Sequence, residues 1–217
     1  MFESFALFYF CTFAGRKISL SRIFILKALT TSTLPTKYGP FQMAVFESGF
    51  KDFPHVALFN SIKESDTINV RIHSECMTGD VFGSVRCDCG EQLDYSLDYF
   101  GKQGGILIYL RQEGRGIGLV NKLKAYNIQD SEGLDTVEAN LALGFHTDER
   151  EYTEGIAILK SLGIKKVKLF TNNPDKVRAF EGSGIEVVER CPVIVAPRIE
   201  NQAYLKTKKD TLGHFLK

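Results

Sequence analysis

From Leu34 onward the chain alternates between two hydrophobic periods, and this limits its possible folds more than any other feature. "FQMAVFESG", "HVALFNSI" and "INVRIHSE" carry strand patterns. The last sets Ile68, Val70 and Ile72 on one face and Arg71 and His73 on the other, which is expected to be open. "EQLDYSLDYFGKQGG" repeats Leu93, Leu97 and Phe100 at helical spacing, and "ILIYL" follows as a short buried strand. Further on, "LVNKLKAYNIQ", "TVEANLALG" and "YTEGIAILKSLG" read as helices, "KVKLF" as a strand, "NPDKVRAFEGSG" as a helix and "IEVVER" as a strand. Such alternation predicts an α+β (mixed α/β) fold, a mixed sheet with flanking helices in one compact domain.

Charge excludes some functions. The 27 basic and 26 acidic residues nearly cancel, so the chain has no global field of the kind that gathers nucleic acid or a membrane surface. An anionic ligand must be held by a local cluster. The N-terminal run "FALFYFCTFA" is about half the ~20 residues a membrane span needs. Glu3 precedes it and Arg16 and Lys17 follow, the reverse of a secretory signal. Residues 1–33 therefore read as an N-terminal extension and 34–217 as the main domain.

Cysteines stand at 11, 76, 87, 89 and 191. An odd number without a signal peptide favours a reducing cytoplasm, with free thiols or metal thiolates rather than disulfides. Three of them crowd into "SECMTGDVFGSVRCDCGEQL". Cys76, Cys87 and Cys89 are spaced to close a loop around one soft ion, and zinc with three protein ligands keeps a fourth position open. The Cys-Asp-Cys stretch needs a turn to bring both side chains to one side, and Gly90 makes one feasible. Two alternatives stay open: small buried hydrophobes, or a structural Cys₄ site completed by the distant Cys191, which has no second ligand beside it.

"LRQEGRGIGLVNK" follows a strand and opens a helix, where free N–H groups attract phosphate. Arg111 and Arg115 add two guanidinium forks suited to phosphate oxygens, and the Glu113 carboxylate suits the paired donors on one edge of a guanine. A tight turn alone would also explain the glycines. In "TNNPDK", capping accounts for Asn173 and Pro174 but not for Thr171 or Lys176. Asp148 and Arg150 in "FHTDEREY" could be a bare surface ion pair.

Taken in order, "RIHSECMTGD", "SVRCDCGEQL", "RQEGRGIGL", "DTVEAN", "LGFHTDERE" and "LFTNNPDKV" resemble GTP cyclohydrolase II, from about Leu34 to His214. The resemblance implies hydrolytic opening of the guanine ring of GTP, with loss of formate and pyrophosphate, at the start of riboflavin synthesis. It implies one Zn²⁺ per chain on Cys76, Cys87 and Cys89, and Mg²⁺ with the phosphates. Arg71, Ile72, His73, Ser74, Glu75 and Gln92 would belong to the GTP site, as would Glu113, Gly114, Arg115, Thr136, Thr171 and Lys176. Asp148 matches a proton acceptor, Arg150 a nucleophile toward the α-phosphorus, and Tyr126 a tyrosine near the opened ring. A guanidinium is a poor nucleophile, so pure charge stabilisation by Arg150 is the alternative role. For Tyr126 the alternative is packing against Leu119 or Leu123. A cytoplasmic homodimer is expected, with no nucleic-acid or membrane partner.

Overall fold

The computed structural model describes residues 26–48, 53–62 and 67–216. Seven strands form one mixed sheet: β1 (Thr30–Thr36), β2 (Gly39–Phe46), β3 (His55–Asn60), β4 (Ile68–Ser74), β5 (Gly105–Leu110), β6 (Lys166–Phe170) and β7 (Glu186–Cys191). Their order is β1-β2-β3-β5-β4-β6-β7. The pairs from β1 through β3 to β5 are antiparallel, and β5, β4, β6 and β7 run parallel. The helices are α1 (Met77–Asp80), α2 (Cys89–Gln103), α3 (Gly118–Glu132), α4 (Thr136–Ala142), α5 (Thr153–Ser161), α6 (Pro174–Arg178) and α7 (Gln202–Asp210). This is the mixed α/β architecture that the alternating periods predict.

Each face of the sheet has its own core. Ile106, Ile108 and Leu110 of β5 join Val70, Ile72, Val167 and Leu169 against Ile156, Ile158 and Leu159 of α5. Leu107 points to the opposite face, with Phe41 and Phe170, under Phe100, Leu93 and Leu97 of α2. Burial on both faces explains why "ILIYL" is continuously apolar. It also corrects the reading of β4. The face bearing Arg71 and His73 is covered, and the two side chains are only 5% and 2% exposed.

Two elements escape the hydrophobic pattern. Strand β1 begins at Thr30, inside the stretch read as an extension, and is an exposed edge paired with β2. Helix α7 has a polar sequence, and the residues it buries are Thr207 and Lys208. Residues 1–25, with Cys11 and the apolar run, lie outside the described residues. Among the described residues no helix is long and apolar enough to cross a membrane.

Candidate functional site

Ligands of parallel sheets collect beyond the carboxyl ends of the strands, and the predicted site residues lie there. The ends of β4, β5 and β6 deliver Ser74, Arg111 and Thr171 to one region. Just past β4, the Sγ atoms of Cys76, Cys87 and Cys89 lie within 4.8 Å of one another, those of Cys76 and Cys87 being 3.6 Å apart.

Asp80 anchors this thiol cluster. Its carboxylate accepts the Cys76 N–H at 3.0 Å and the Tyr109 hydroxyl at 2.8 Å, and it lies 3.1 Å from His73 Nε2. Gly90 acts differently from the turn expected of it. It lies in the first turn of α2, and a Cβ there would sit 2.4 Å from the Gly79 carbonyl oxygen. A Cβ on Gly79 would in turn meet the Sγ atoms of Cys87 and Cys76 at 3.0 and 3.3 Å. The two glycines let the thiol-bearing segments touch.

Lys122 of α3 reaches the cluster, its Nζ 3.1 Å from Cys76 Sγ and 2.8 Å from Glu113 Oε1. Hydrogen bonds from the other two thiols, and then Lys122, hold Cys76 far below the ordinary thiol range. Hydrogen bonding to that thiolate pushes Cys87 up to about 11, and Cys89 is likewise held well above the ordinary thiol value. One thiolate is thus stable without help, and three close together require a cation. This soft, mostly buried donor set fits a zinc ion, which deprotonates coordinating thiols outright.

Two adjoining cavities, open to solvent, share Ser74, Cys89, Arg115, Arg150 and Tyr204 in their walls. The first holds the thiols with Glu75, Glu113, Tyr126 and Thr136. The second gathers Arg71, Gln92, Thr171 and Lys176 with Lys208 and His214. Its positive charge is incompletely matched. Both terminal nitrogens of Arg115 and Nε of Arg71 are buried without a hydrogen-bond partner. Arg115 also has φ of +61°, a left-handed backbone that costs a side-chain-bearing residue about 1–3 kcal/mol. Lys176 donates to the Ile72 carbonyl at 2.6 Å, and burial, then Arg150 and Arg71, hold its pKa well below the ordinary value.

Several predicted residues work in unexpected ways. Ile72 buries its side chain in the core and offers only its carbonyl to the site. The Glu113 carboxylate already accepts from Met77 N–H, Gly114 N–H and Lys122, bracing the segment after Cys76. Glu75 pairs with Arg111 at 3.0 Å, and burial raises its pKa. Asn173 caps α6, as capping predicts, and Thr171 Oγ1 accepts the Asn173 N–H. Asp148 grips Arg150 through Nε and the backbone N–H, but it faces a neighbouring recess with His146 and Asp175. Tyr126 faces the thiol cavity, under the Arg86 guanidinium 4.3 Å from its ring centre. Arg86 is itself held by Asp130 at 2.6 and 3.0 Å.

Sequence reasoning missed Asp80, Arg86, Asp88, Lys122, Tyr204 and Lys208. Asp80, Arg86 and Asp88 were visible as charges inside the cysteine stretch. Nothing local marks the other three.

The chain matches the family model for GTP cyclohydrolase II over residues 27–192. It is 48% identical over 194 residues to "Riboflavin biosynthesis protein RibBA" of Chlorobium phaeovibrioides, covering 88% of this chain and 47% of that protein. The protein of the same name from Bacillus cytotoxicus is 50% identical over 186 residues, covering 85% of this chain and 47% of that one. The chain thus spans about half the length of the curated relatives it matches. Among solved structures, RibBX, a two-domain 3,4-dihydroxy-2-butanone 4-phosphate synthase from A. baumannii, superposes with a TM-score of 0.45 at 17% identity. That superposition covers 79% of this chain and 41% of the other, too loose a likeness to inform the site.

Proposed function

Because the chain belongs to the GTP cyclohydrolase II family, we propose that it hydrolyses GTP as the first step of riboflavin biosynthesis. Water opens the imidazole ring and frees its carbon as formate. Cleavage between the α- and β-phosphates frees pyrophosphate, leaving a diamino-ribosylaminopyrimidinone phosphate. One observation carries this reading: three converging thiols and a cluster of cationic side chains, with nitrogens of Arg71 and Arg115 left unpaired, share one pair of adjoining cavities. A purine beside the thiols with its phosphates among the cations uses both ends.

Cys76, Cys87 and Cys89 are the residues that would hold zinc. When bound, the ion supplies a Lewis acid that makes water acidic near neutrality. Lys122 and Asp80 keep Cys76 in place. Burial holds the Tyr126 phenol above its ordinary pKa, so it stays protonated and can donate a hydrogen bond to the formyl oxygen. Arg71, Arg115, Thr171 and Lys176 bind the phosphates, which Mg²⁺ accompanies.

For Arg150 the surroundings favour charge stabilisation over attack on phosphorus. Although burial opposes its charge, Tyr152 and Asp148 hold the guanidinium above its ordinary pKa. Despite its own burial, Asp148 is held below the carboxylate range by Arg150. Proton transfer from Arg150 to Asp148 therefore runs uphill, whereas a fixed cation at the phosphoryl group needs no transfer. A homodimer in the cytoplasm, without nucleic-acid or membrane partners, completes the proposal.

The test is incubation with GTP and Mg²⁺, following purine absorbance, formate and pyrophosphate. Equal yields of both products support the proposal. GTP binding without formate release refutes it in favour of a zinc-stabilised nucleotide-binding module.

A further inference from the structure

We infer that Lys208, on the C-terminal helix α7 and outside the residues the family model matches, is a positioning residue that holds the thiol loop and the anion cavity in register. Its Nζ lies 2.6 Å from Asp88 Oδ1 and 4.5 Å from the centre of the Tyr204 ring, and the lysine is only 8% exposed. Asp88 stands between Cys87 and Cys89 and is 2% exposed.

The hydrogen bonds from there run in one direction. Asp88 Oδ2 accepts from Gln92 Nε2 at 2.5 Å, which turns the Gln92 carbonyl oxygen toward Arg71. Arg71 donates to that oxygen at 2.6 Å and to the Phe170 carbonyl at 3.3 Å. This leaves Nε of Arg71 buried and without a partner. Each group's orientation is set by the one before it, and the first is the ammonium of Lys208. Without that ammonium, Asp88 is a buried carboxylate whose remaining cationic neighbour, Arg71, reaches it by hydrogen bond only through Gln92. The loop carrying Cys87 and Cys89 must then shift to find another donor or water.

Groups that orient metal ligands from behind affect metal affinity about 10–100-fold when removed. The inference rests on the zinc and nucleotide reading above, and metal affinity tests it independently of any substrate.

The experiment measures zinc affinity by competition with a chromophoric chelator, and KM and kcat with GTP, for the parent and for Lys208→Met, Lys208→Arg, Asp88→Asn and the Lys208→Met/Asp88→Asn pair. Lys208→Met should bind zinc at least tenfold more weakly and raise KM more than it lowers kcat. Lys208→Arg should recover most of the zinc affinity. The double variant should lose far less than the two single losses multiplied, because the unpaired carboxylate is gone. Zinc affinity unchanged in Lys208→Met, or single losses that simply multiply, would overturn the assignment. If Lys208→Met is poorly soluble, Lys208→Arg and the double variant decide by the same comparison. A parent that releases no formate but shows the same zinc pattern would refute the GTP reading and leave Lys208 in its role.

Discussion

Replacing Gly90 with alanine inverts the usual effect of that exchange in a helix. In an unconstrained helix, Gly→Ala stabilises by about 0.5–1 kcal/mol. Here the new methyl carbon would lie 2.4 Å from the Gly79 carbonyl oxygen and 3.0 Å from its carbon, backbone atoms that cannot rotate away. Ordinary contact starts near 3.4 Å, so the start of α2 and the segment after Cys76 must part by about 1 Å. Overpacking of this kind costs about 1–3 kcal/mol, which outweighs the helical gain. The net cost of about 0.5–2 kcal/mol, at about 2–4 °C per kcal/mol for a chain of this size, should lower the melting temperature by roughly 1–8 °C. The metal site is more sensitive, because metal–ligand distances hold to about 0.2 Å and the two segments carry different thiols. Zinc affinity should therefore drop at least tenfold, with formate release falling in parallel. Thermal unfolding and chelator competition on purified Gly90→Ala give both numbers. A variant that melts at or above the parent temperature and binds zinc equally well would refute the close-approach argument.

Tyr126→Phe should keep fold and zinc while slowing formate release, by roughly 100-fold if the phenol moves a proton; parent-like turnover would return Tyr126 to a packing role. Arg115→Gln should raise the KM for GTP about tenfold or more, since a charged hydrogen bond contributes about 1.5–3 kcal/mol, and an unchanged KM would show that its partnerless nitrogens face no phosphate. The Asp148 carboxylate has a depressed pKa in the folded protein, so its contribution to stability is present above the unfolded carboxylate pKa and lost as pH falls through the folded one. Urea unfolding of the parent and Asp148→Asn should therefore differ most at neutral pH and converge in acid, and a gap that is constant with pH would contradict the pairing.

The strands and the larger helices were legible because their buried faces are apolar at a clear period. β4 and β5 come directly from such runs. The exposed faces of β1 gave no comparable signal, since "TTSTLPT" is an edge held by backbone pairing to β2. Helix α7 was illegible for the opposite reason, since what it buries is a lysine, a threonine and the face of Tyr204 rather than an apolar stripe. Within the site, the short spacing of Cys76, Cys87 and Cys89 pointed to their convergence. Lys122 and Lys208 did not stand out, because a buried lysine and a solvated one look the same until the fold brings their partners, Cys76 and Asp88, from 46 and 120 residues away. Arg71 and His73 were correctly placed on one face of β4. That α2 covers this face is a long-range fact that no local pattern contains.

The crowding of Arg71, Arg115, Arg150 and Lys176 around one cavity makes the protein's durability depend on what it binds. Their burial and mutual repulsion are a load the folded chain carries alone: burial first, then Arg150 and Arg71, depress the pKa of Lys176. On the proposed function, the phosphates of GTP would relieve that load while gaining their own contacts, and the unfolded chain offers no such cluster to bind them. At one hundred times its dissociation constant such a ligand adds about 2.7 kcal/mol to stability, a sizeable share of the ~5–15 kcal/mol typical of a whole domain. Without nucleotide the same chain would then sit closer to its unfolding threshold, so its melting temperature should rise with GTP concentration.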